Sequence, residues 1–351
     1  MRGPELAGDL HLVVMAGGSG TRFWPKSTSG RPKQLLAFGR EPATLLARTL
    51  ARFDGLAGHR LIVTTRALAD ASRAEAPGVE ILAEPEGRNT APCIYWAARV
   101  VSARDPRGVM AVVPADHHLA RPAAFRATIE RAAAWARTHD DLVTLGVEPT
   151  RPETAYGYLR TGAALAEGAR RVDAFVEKPD RARAAEFLRA GNYLWNGGMF
   201  LWRAEVVLAA FDRLMPEMRK AWEAAGGDAV RAYPRMTATS IDYGVMEKAS
   251  NVVTFALDCD WDDVGSWTSL ESLADVLGAR QAGGTVTAGE TVVIDASGNI
   301  VDAPNRLVAL LGVHDLIVAE HGGALLVARK DRAQDIRAVV EQVRRQRPEL
   351  A

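Results

Sequence analysis

The chain has 351 residues, with 43 Lys+Arg against 43 Asp+Glu and a formal net charge of zero. That balance argues against a protein working on nucleic acid or an anionic membrane through bulk charge. Hydrophobic residues at 48% and charged residues at 25% are ordinary globular values, and the length suits roughly two domains of about 150 residues each.

Met1–Asp9 holds Glu5 and lacks a basic-then-apolar leader, so it reads as a short lead-in. Five apolar runs follow: Leu10–Met15, Arg60–Thr64, Val79–Ala83, Val109–Val113 and Leu142–Val147. Each is bounded by Gly, Pro or polar residues and predicts a buried strand. Ala91–Ala103 and Pro122–Thr138 carry apolar residues at helical spacing between them. Alternation of this kind predicts an α/β fold with a mostly parallel sheet covered on both faces.

After Pro149 the rhythm changes. Tyr156–Arg160 and Val172–Val176 read as strands. Asp180 is placed to cap a helix ending at Gly191, with Phe187 and Leu188 facing in. Tyr193–Trp202 reads as strand, loop, strand around Gly197–Gly198. A helical zone spans Ala204–Ala225, and Val252–Leu257 is a further strand.

A boundary is expected in Gly278–Gly284, giving domains 1–278 and 279–351. Beyond it, Thr291–Asp295, Asn299–Asp302, Leu307–Leu311, Leu316–Glu320 and Ala324–Ala328 predict a small β domain. A closing helix over Asp331–Arg345 is capped by Asp331 in this reading, with Ile336, Val339, Val340 and Val343 on one face. Two cysteines, Cys93 and Cys259, make no disulfide framework. No apolar run is long enough to suggest a membrane helix. A cytoplasmic protein is expected.

The first strand runs straight into Met15-Ala-Gly-Gly-Ser-Gly-Thr-Arg-Phe-Trp-Pro-Lys26. Glycines there let backbone N–H groups approach anionic oxygens. The loop is not a P-loop, since no Gly-Lys-Ser/Thr follows. Nor is it the dinucleotide fingerprint, because Phe23 stands where a third glycine is needed. Its charge comes from Arg22 and from Lys33 in Arg31-Pro32-Lys33-Gln34-Leu35. Alone the latter would be a solvated turn; flanking one glycine loop, the two suit a triphosphate clamp.

AGGSGTRFWPKSTSGRPKQLL resembles the signature of the sugar-1-phosphate nucleotidylyltransferase family, and within it the bacterial mannose-1-phosphate guanylyltransferases. The resemblance continues through residues 84–92 (EPEGRNTAP), 112–119 (VVPADHHL), 153–159 (ETAYGYL), 175–179 (FVEKP), 194–202 (LWNGGMFLW), 240–248 (SIDYGVMEK) and 261–267 (WDDVGSW). It implies a Rossmann-like nucleotidyltransferase domain, with a mixed, mostly parallel sheet, and a short left-handed β-helix behind it. Some members carry a fused isomerase domain, for which this chain is too short. The implied reaction moves GMP from GTP to α-D-mannose 1-phosphate, with Mg²⁺. The homologous alternatives are another manno-configured sugar, such as a heptose 1-phosphate, and a non-catalytic nucleotide-sugar sensor.

Residue by residue, the resemblance implies that Ala16, Gly17, Gly18, Ser19, Gly20 and Thr21 cradle the nucleotide with Arg22 and Lys33. Glu84, Asn89 and Thr90 belong to the same set. Glu84 can accept from both guanine N1–H and the 2-amino group; the plain alternative is a Glu near a helix start. Asp116 and Asp263 are the implied metal pair, with Asp260 and Asp262 as rivals for the second place. Most loop aspartates are only turn or cap residues. Gly157, Glu177 and Asn196 form the implied sugar pocket, Lys178 meets the sugar phosphate, and Asp242 is a weaker candidate. His117, His118 and tryptophans 195, 202, 261 and 267 read as packing residues. Lys26 stands where the family commonly has an apolar residue. A homodimer through the C-terminal domain is also implied, with no nucleic acid and no membrane partner.

Overall fold

The computed structural model describes residues 10–18, 20–38, 43–274 and 282–351. Ser19, the lead-in Met1–Asp9 and the expected 278/279 boundary lie outside the described residues.

The strands are β1 (Leu10–Met15), β2 (His59–Thr65), β3 (Glu80–Glu84), β4 (Val109–Pro114), β5 (His118–Leu119), β6 (Leu142–Val147), β7 (Tyr158–Ala164), β8 (Ala169–Val176), β9 (Tyr193–Arg203), β10 (Val252–Ala256) and β11 (Trp261–Asp262). The helices are α1 (Leu45–Ala51), α2 (Ala69–Glu75), α3 (Thr90–Arg104), α4 (Pro122–Thr138), α5 (Arg181–Ala190), α6 (Ala204–Leu214), α7 (Pro216–Ala224), α8 (Ala229–Ala232), α9 (Ser269–Leu273) and α10 (Ile336–Gln346).

Nine strands form one sheet in the order β3-β2-β1-β4-β9-β6-β10-β8-β7. β3, β2, β1 and β4 are mutually parallel. β9 enters antiparallel between β4 and β6, so the sheet is mixed. The central parallel strands β1, β4 and β6 are buried on both faces, as their unbroken Val, Ile and Leu runs require, while edge strand β3 is only partly covered. β3, β2, β1 and β4 end on the same edge, where ligands bind in open α/β sheets.

Three local expectations need correction. Tyr193–Arg203 is one continuous strand, not strand-loop-strand. Gly198, at φ 64°, and a register shift against β6 absorb the irregularity without breaking the ladder. The helical zone is two helices, because Pro216 opens α7 and disfavours helical geometry at Met215 (φ −140°, ψ 59°). Asp331 does not cap α10; a 3₁₀ segment, Lys330–Asp335, precedes the helix, and Val339 is exposed. Asp180 does cap α5, accepting from the Arg183 N–H, and Gly191 ends it at φ 68°. On that helix Ala184 and Phe187 are buried and Leu188 is half-buried.

The C-terminal strands are β12 (Val286–Ala288), β13 (Thr291–Ile294), β14 (Ile300–Asp302), β15 (Val308–Leu311), β16 (Leu316–His321) and β17 (Ala324–Arg329). β12, β14 and β16 stack in parallel, as do β13 and β15, in the manner of a short β-helix. Buried Asn299 braces one turn: its side chain donates to the Val313 carbonyl and accepts from the Leu316 N–H. One apolar cluster joins this unit to the glycine-rich segment, packing Phe23, Trp24 and Trp267 with Ile317, Ile336 and Val340.

Candidate functional site

The loop after β1 turns at Gly20, whose φ of 48° suits glycine. A Cβ there would also stand 2.6 Å from the Lys33 backbone nitrogen. Buried Gln34 holds the loop's entry, donating to the carbonyls of Ala16 at 2.7 Å and Gly18 at 3.1 Å. Gln34 is a supporting residue that the sequence reading overlooked, although it sits in the quoted motif.

Lys33 is buried, and three acceptors take its ammonium. These are the Asp116 carboxylate at 2.9 Å and the carbonyls of Asp263 at 2.5 Å and Val264 at 2.9 Å. The two aspartates named from the sequence, 147 positions apart by number (263 − 116), are thus drawn to one lysine. Burial is the largest influence on Asp116 and opposes its ionisation, but Lys33, His117 and a backbone hydrogen bond together hold the carboxyl below its usual range. Asp263 accepts from the Tyr156 hydroxyl at 2.8 Å. Its rivals are engaged elsewhere. Asp262 accepts from the Val264 N–H at 2.6 Å, and Asp260 pairs with Arg121. Arg22 is half-buried and feels the fields of Asp263 and Asp116, and its side chain reaches Gln334 at 3.4 Å.

His117 and His118 are held neutral. Burial pushes both down to about 4, and Trp261 Nε1 donates to His117 Nδ1 at 3.1 Å. His118 is buried, whereas His117 packs edge-on against Trp261 and also lines the small cleft beside this centre. Trp202 and Trp267 are fully buried and Trp195 nearly so.

On one side of this centre lies a cleft of about 180 Å³. Gly157, Glu177, Asn196, Asp242, Tyr156 and Asp263 line it. A Cβ at Gly157 would stand 2.4 Å from Glu177 Oε2, so any side chain there would push that carboxylate out of its present place. Asn196 donates to Asp242 at 2.9 Å and accepts from Thr144. Burial, and then Glu177, push Asp242 up to about 6. Lys178 is exposed and pairs with Glu177 at 2.7 Å. Thr90, expected on the nucleotide side, lines this cleft instead; its hydroxyl accepts from the Ile241 N–H.

On the other side a cleft of about 550 Å³ is walled by Gly17, Thr21, Thr65 and Gly87 on the sheet edge. Glu84 ends β3 just beneath it. The Tyr233 hydroxyl donates to Glu84 Oε1, and Oε2 faces Gly17, where a Cβ would stand 2.7 Å away. Burial raises the Glu84 pKa, and the tyrosine pulls it back. Asn89 is exposed and caps α3, accepting from the Thr90 N–H at 2.8 Å. Tyr156 sits in the quoted 153–159 motif but was not singled out, and Tyr233 lies outside every quoted motif; each is defined by a partner more than 100 positions away.

The nucleotidyl transferase family profile matches residues 11–278. The chain belongs to that family. A second profile, the mannose-phosphate isomerase/GMP-like β-helix domain, matches residues 289–343. Among relatives of this nucleotidyl transferase, the xanthan biosynthesis protein XanB of Xanthomonas campestris is 39% identical, over 96% of this chain and 73% of its own. The mannose-1-phosphate guanylyltransferase of Escherichia coli is 35% identical, over 94% and 73%. A crystal structure from Thermus thermophilus, described as mannose-1-phosphate geranyltransferase, superposes with TM-score 0.87 at 36% identity, over 95% of this chain and 99% of that one. Among the described residues no helix is long and apolar enough to cross a membrane.

Proposed function

We propose that the protein transfers GMP from GTP to α-D-mannose 1-phosphate, releasing pyrophosphate and GDP-mannose. The observation that carries this reading is Lys33, which draws the Asp116 and Asp263 loops together between two clefts. The larger cleft, against the glycine loop and Glu84, takes GTP. The smaller, with Glu177, Asn196 and Asp242, takes the sugar.

The mannose 1-phosphate oxygen attacks the α-phosphorus in line with the departing pyrophosphate. A sugar phosphate has a second pKa near 6, so its oxygen needs no general base at neutral pH. Positioning and charge neutralisation carry the catalysis. Lys178 orients the attacking phosphate. Arg22 and the glycine-loop N–H groups hold the departing pyrophosphate. Lys33, already committed to three acceptors, positions the two aspartates rather than gripping phosphate itself.

Asp116 and Asp263 would hold Mg²⁺. Among the described residues there is no group of three or more His, Cys, Asp or Glu side chains suited to a metal. Two hard carboxylates nonetheless fit an ion that keeps waters and takes phosphate oxygens for its other places. When bound it supplies charge neutralisation on those oxygens. We assign the exposed apolar side chains Ile294, Leu311, Leu325 and Val327 of the C-terminal unit to a homodimer contact, to be checked by sedimentation.

The test is pyrophosphate release with Mg²⁺ and GTP, offering mannose 1-phosphate, glucose 1-phosphate and a manno-heptose 1-phosphate, with ATP and UTP as nucleotide controls. Rapid release confined to GTP with mannose 1-phosphate, and abolished by EDTA, is expected. Preference for the heptose would move the substrate. Silence with every pair, from folded protein that binds GTP, would leave a sensor.

A further inference from the structure

The large cleft has a second wall that comes from the far end of the chain. Arg337, Glu341 and Arg344 line it from α10, at the i, i+4, i+7 spacing of one helix face. Opposite stand Gly17 and Thr21 of the glycine loop.

The helix is fastened in that place. Its buried side, Ile336 and Val340, packs with Phe23 and Trp24 in one apolar cluster. Just before it, Gln334 accepts from Arg22 at 3.4 Å. Just after it, the Leu350 carbonyl accepts from Trp24 Nε1 at 2.7 Å, and the Ala351 carbonyl accepts from the Ser29 hydroxyl at 3.0 Å. The glycine segment is therefore gripped at both ends of α10.

Among the described residues, Arg337 makes no ion pair, although Glu341 stands one turn away on the same face. Its charge instead bears on Arg22, a like charge. Half-buried Arg22 and exposed Arg337, two guanidiniums that repel each other beside the glycine loop, are arranged for a polyanion between them. Glu341 lies about 6 Å farther along the helix axis than Arg337, away from the end where Gln334 meets Arg22.

We propose that α10 is the outer wall of the nucleotide site and that Arg337 binds the β,γ-diphosphate of GTP, the part released as pyrophosphate. The inference rests on the GTP reading above. On this account the C-terminal unit completes the active site, and Arg337 acts on the leaving-group side only.

The experiment compares Arg337→Gln and Arg337→Lys with Arg345→Gln. Arg345 is an exposed cation of the same helix that does not line the cleft. In Arg337→Gln, KM for GTP and, in the reverse reaction, KM for pyrophosphate rise 10- to 100-fold. KM for mannose 1-phosphate and the Kd of GDP-mannose without pyrophosphate stay within twofold. Arg337→Lys recovers part of the loss, and Arg345→Gln behaves as wild type. An unchanged KM for GTP overturns the proposal. So does equal weakening in Arg345→Gln, which would mean a diffuse field, or a parallel loss of GDP-mannose affinity, which would mean a displaced wall. Calorimetric binding of GTP and of GMP, with no sugar present, reads the same contact without turnover. Arg337→Gln should erase most of the preference for GTP over GMP even if mannose 1-phosphate proves not to be the acceptor. A preserved preference overturns the proposal there too.

Discussion

Lys33 pairs with Asp116 at 2.9 Å while donating to the backbone of the loop that carries Asp263. One side chain thus sets the relative position of two carboxylates brought from distant segments. Lys33→Met removes the cation that pairs with the Asp116 side chain. It should destabilise the fold by about 2 kcal/mol, less than a fully buried pair, because the Asp116 side chain keeps 30% exposure. Turnover should fall about 100-fold or more as the carboxylates separate. Lys33→Arg should not restore it, since a planar fork cannot meet three converging acceptors. Urea unfolding and kcat give the two readouts, and near-wild-type kcat in Lys33→Met would remove the positioning role.

Tyr233 occupies one Glu84 oxygen and leaves the other toward Gly17. If that oxygen reads the guanine 2-amino group, GTP should be preferred over ITP, which lacks it. A hydrogen bond to a charged group corresponds to about 10- to 100-fold in kcat/KM. Glu84→Gln should shrink the GTP/ITP ratio to a few-fold. Tyr233→Phe should shrink it less, because the carboxylate remains but loses its support. Equal ratios in wild type and Glu84→Gln would dismiss Glu84 as the base reader.

A methyl group at Gly157 collides with the Glu177 side chain. The added carbon would meet Glu177 Oε2 at 2.4 Å and the Asn196 Cβ at 3.3 Å. Gly157→Ala should therefore displace Glu177 from the small cleft. KM for the sugar phosphate should rise at least about 10-fold with KM for GTP within about twofold, the split expected of a lost substrate-side contact. If both KM values rise together, the two clefts are not separate subsites.

What the sequence made legible followed local physics. α4 begins at Pro122 and ends at Thr138 as read, because proline suits the first helical turn and the apolar spacing is unbroken. The parallel strands were legible as continuous Val-, Ile- and Leu-rich runs. The continuity of β9 was not, since Gly197–Gly198 reads locally as a break and only pairing with β4, β6 and β7 carries the strand across. Within the site, the motif residues drew the eye to Lys33, Asp116 and Asp263. Lys33's commitment to the other two depends on a contact 230 positions away. Arg337 was invisible for the same reason. Its helix reads as an amphipathic terminal segment until the fold lays it beside Thr21.

His117 and His118 predict an acid sensitivity. Both are pushed from 6.5 down to about 4, so the unfolded chain binds protons that the folded one refuses. Stability is unaffected above pH 6.5 and falls as pH drops from 6.5 toward 4, by at most about 3 kcal/mol per unit for the pair. Asp242 has the opposite sign. Its value is raised to about 6, so it returns stability as pH falls from about 6 toward 3.8. Two histidines outnumber one aspartate, and the net slope stays unfavourable. Urea midpoints from pH 7 to 5 should show the decline, and His118→Gln should reduce it by about half. A flat profile would mean that the histidines titrate normally in the fold.

Lys26, which replaces an apolar residue common in the family the sequence resembles, reaches across to the C-terminal unit. Its ammonium lies 2.7 and 3.1 Å from the two Asp302 oxygens, over the Phe38 ring at 5.3 Å. Asp302 is 4% exposed, so Lys26→Leu would strand a buried carboxylate. The cost should be about 2–3 kcal/mol. Asp302→Asn alone removes the charge and should cost less, and the double variant should recover part of the Lys26→Leu loss, because no unpaired carboxylate remains. The coupling from the double-mutant cycle should be about 1–2 kcal/mol. Because α10 and the glycine loop share a cluster with Trp24 and Trp267, the same lysine change should raise KM for GTP more than KM for the sugar phosphate. Additive stabilities together with an unshifted KM for GTP would mean that the bridge is ornamental and that the apolar cluster alone holds the C-terminal wall in place.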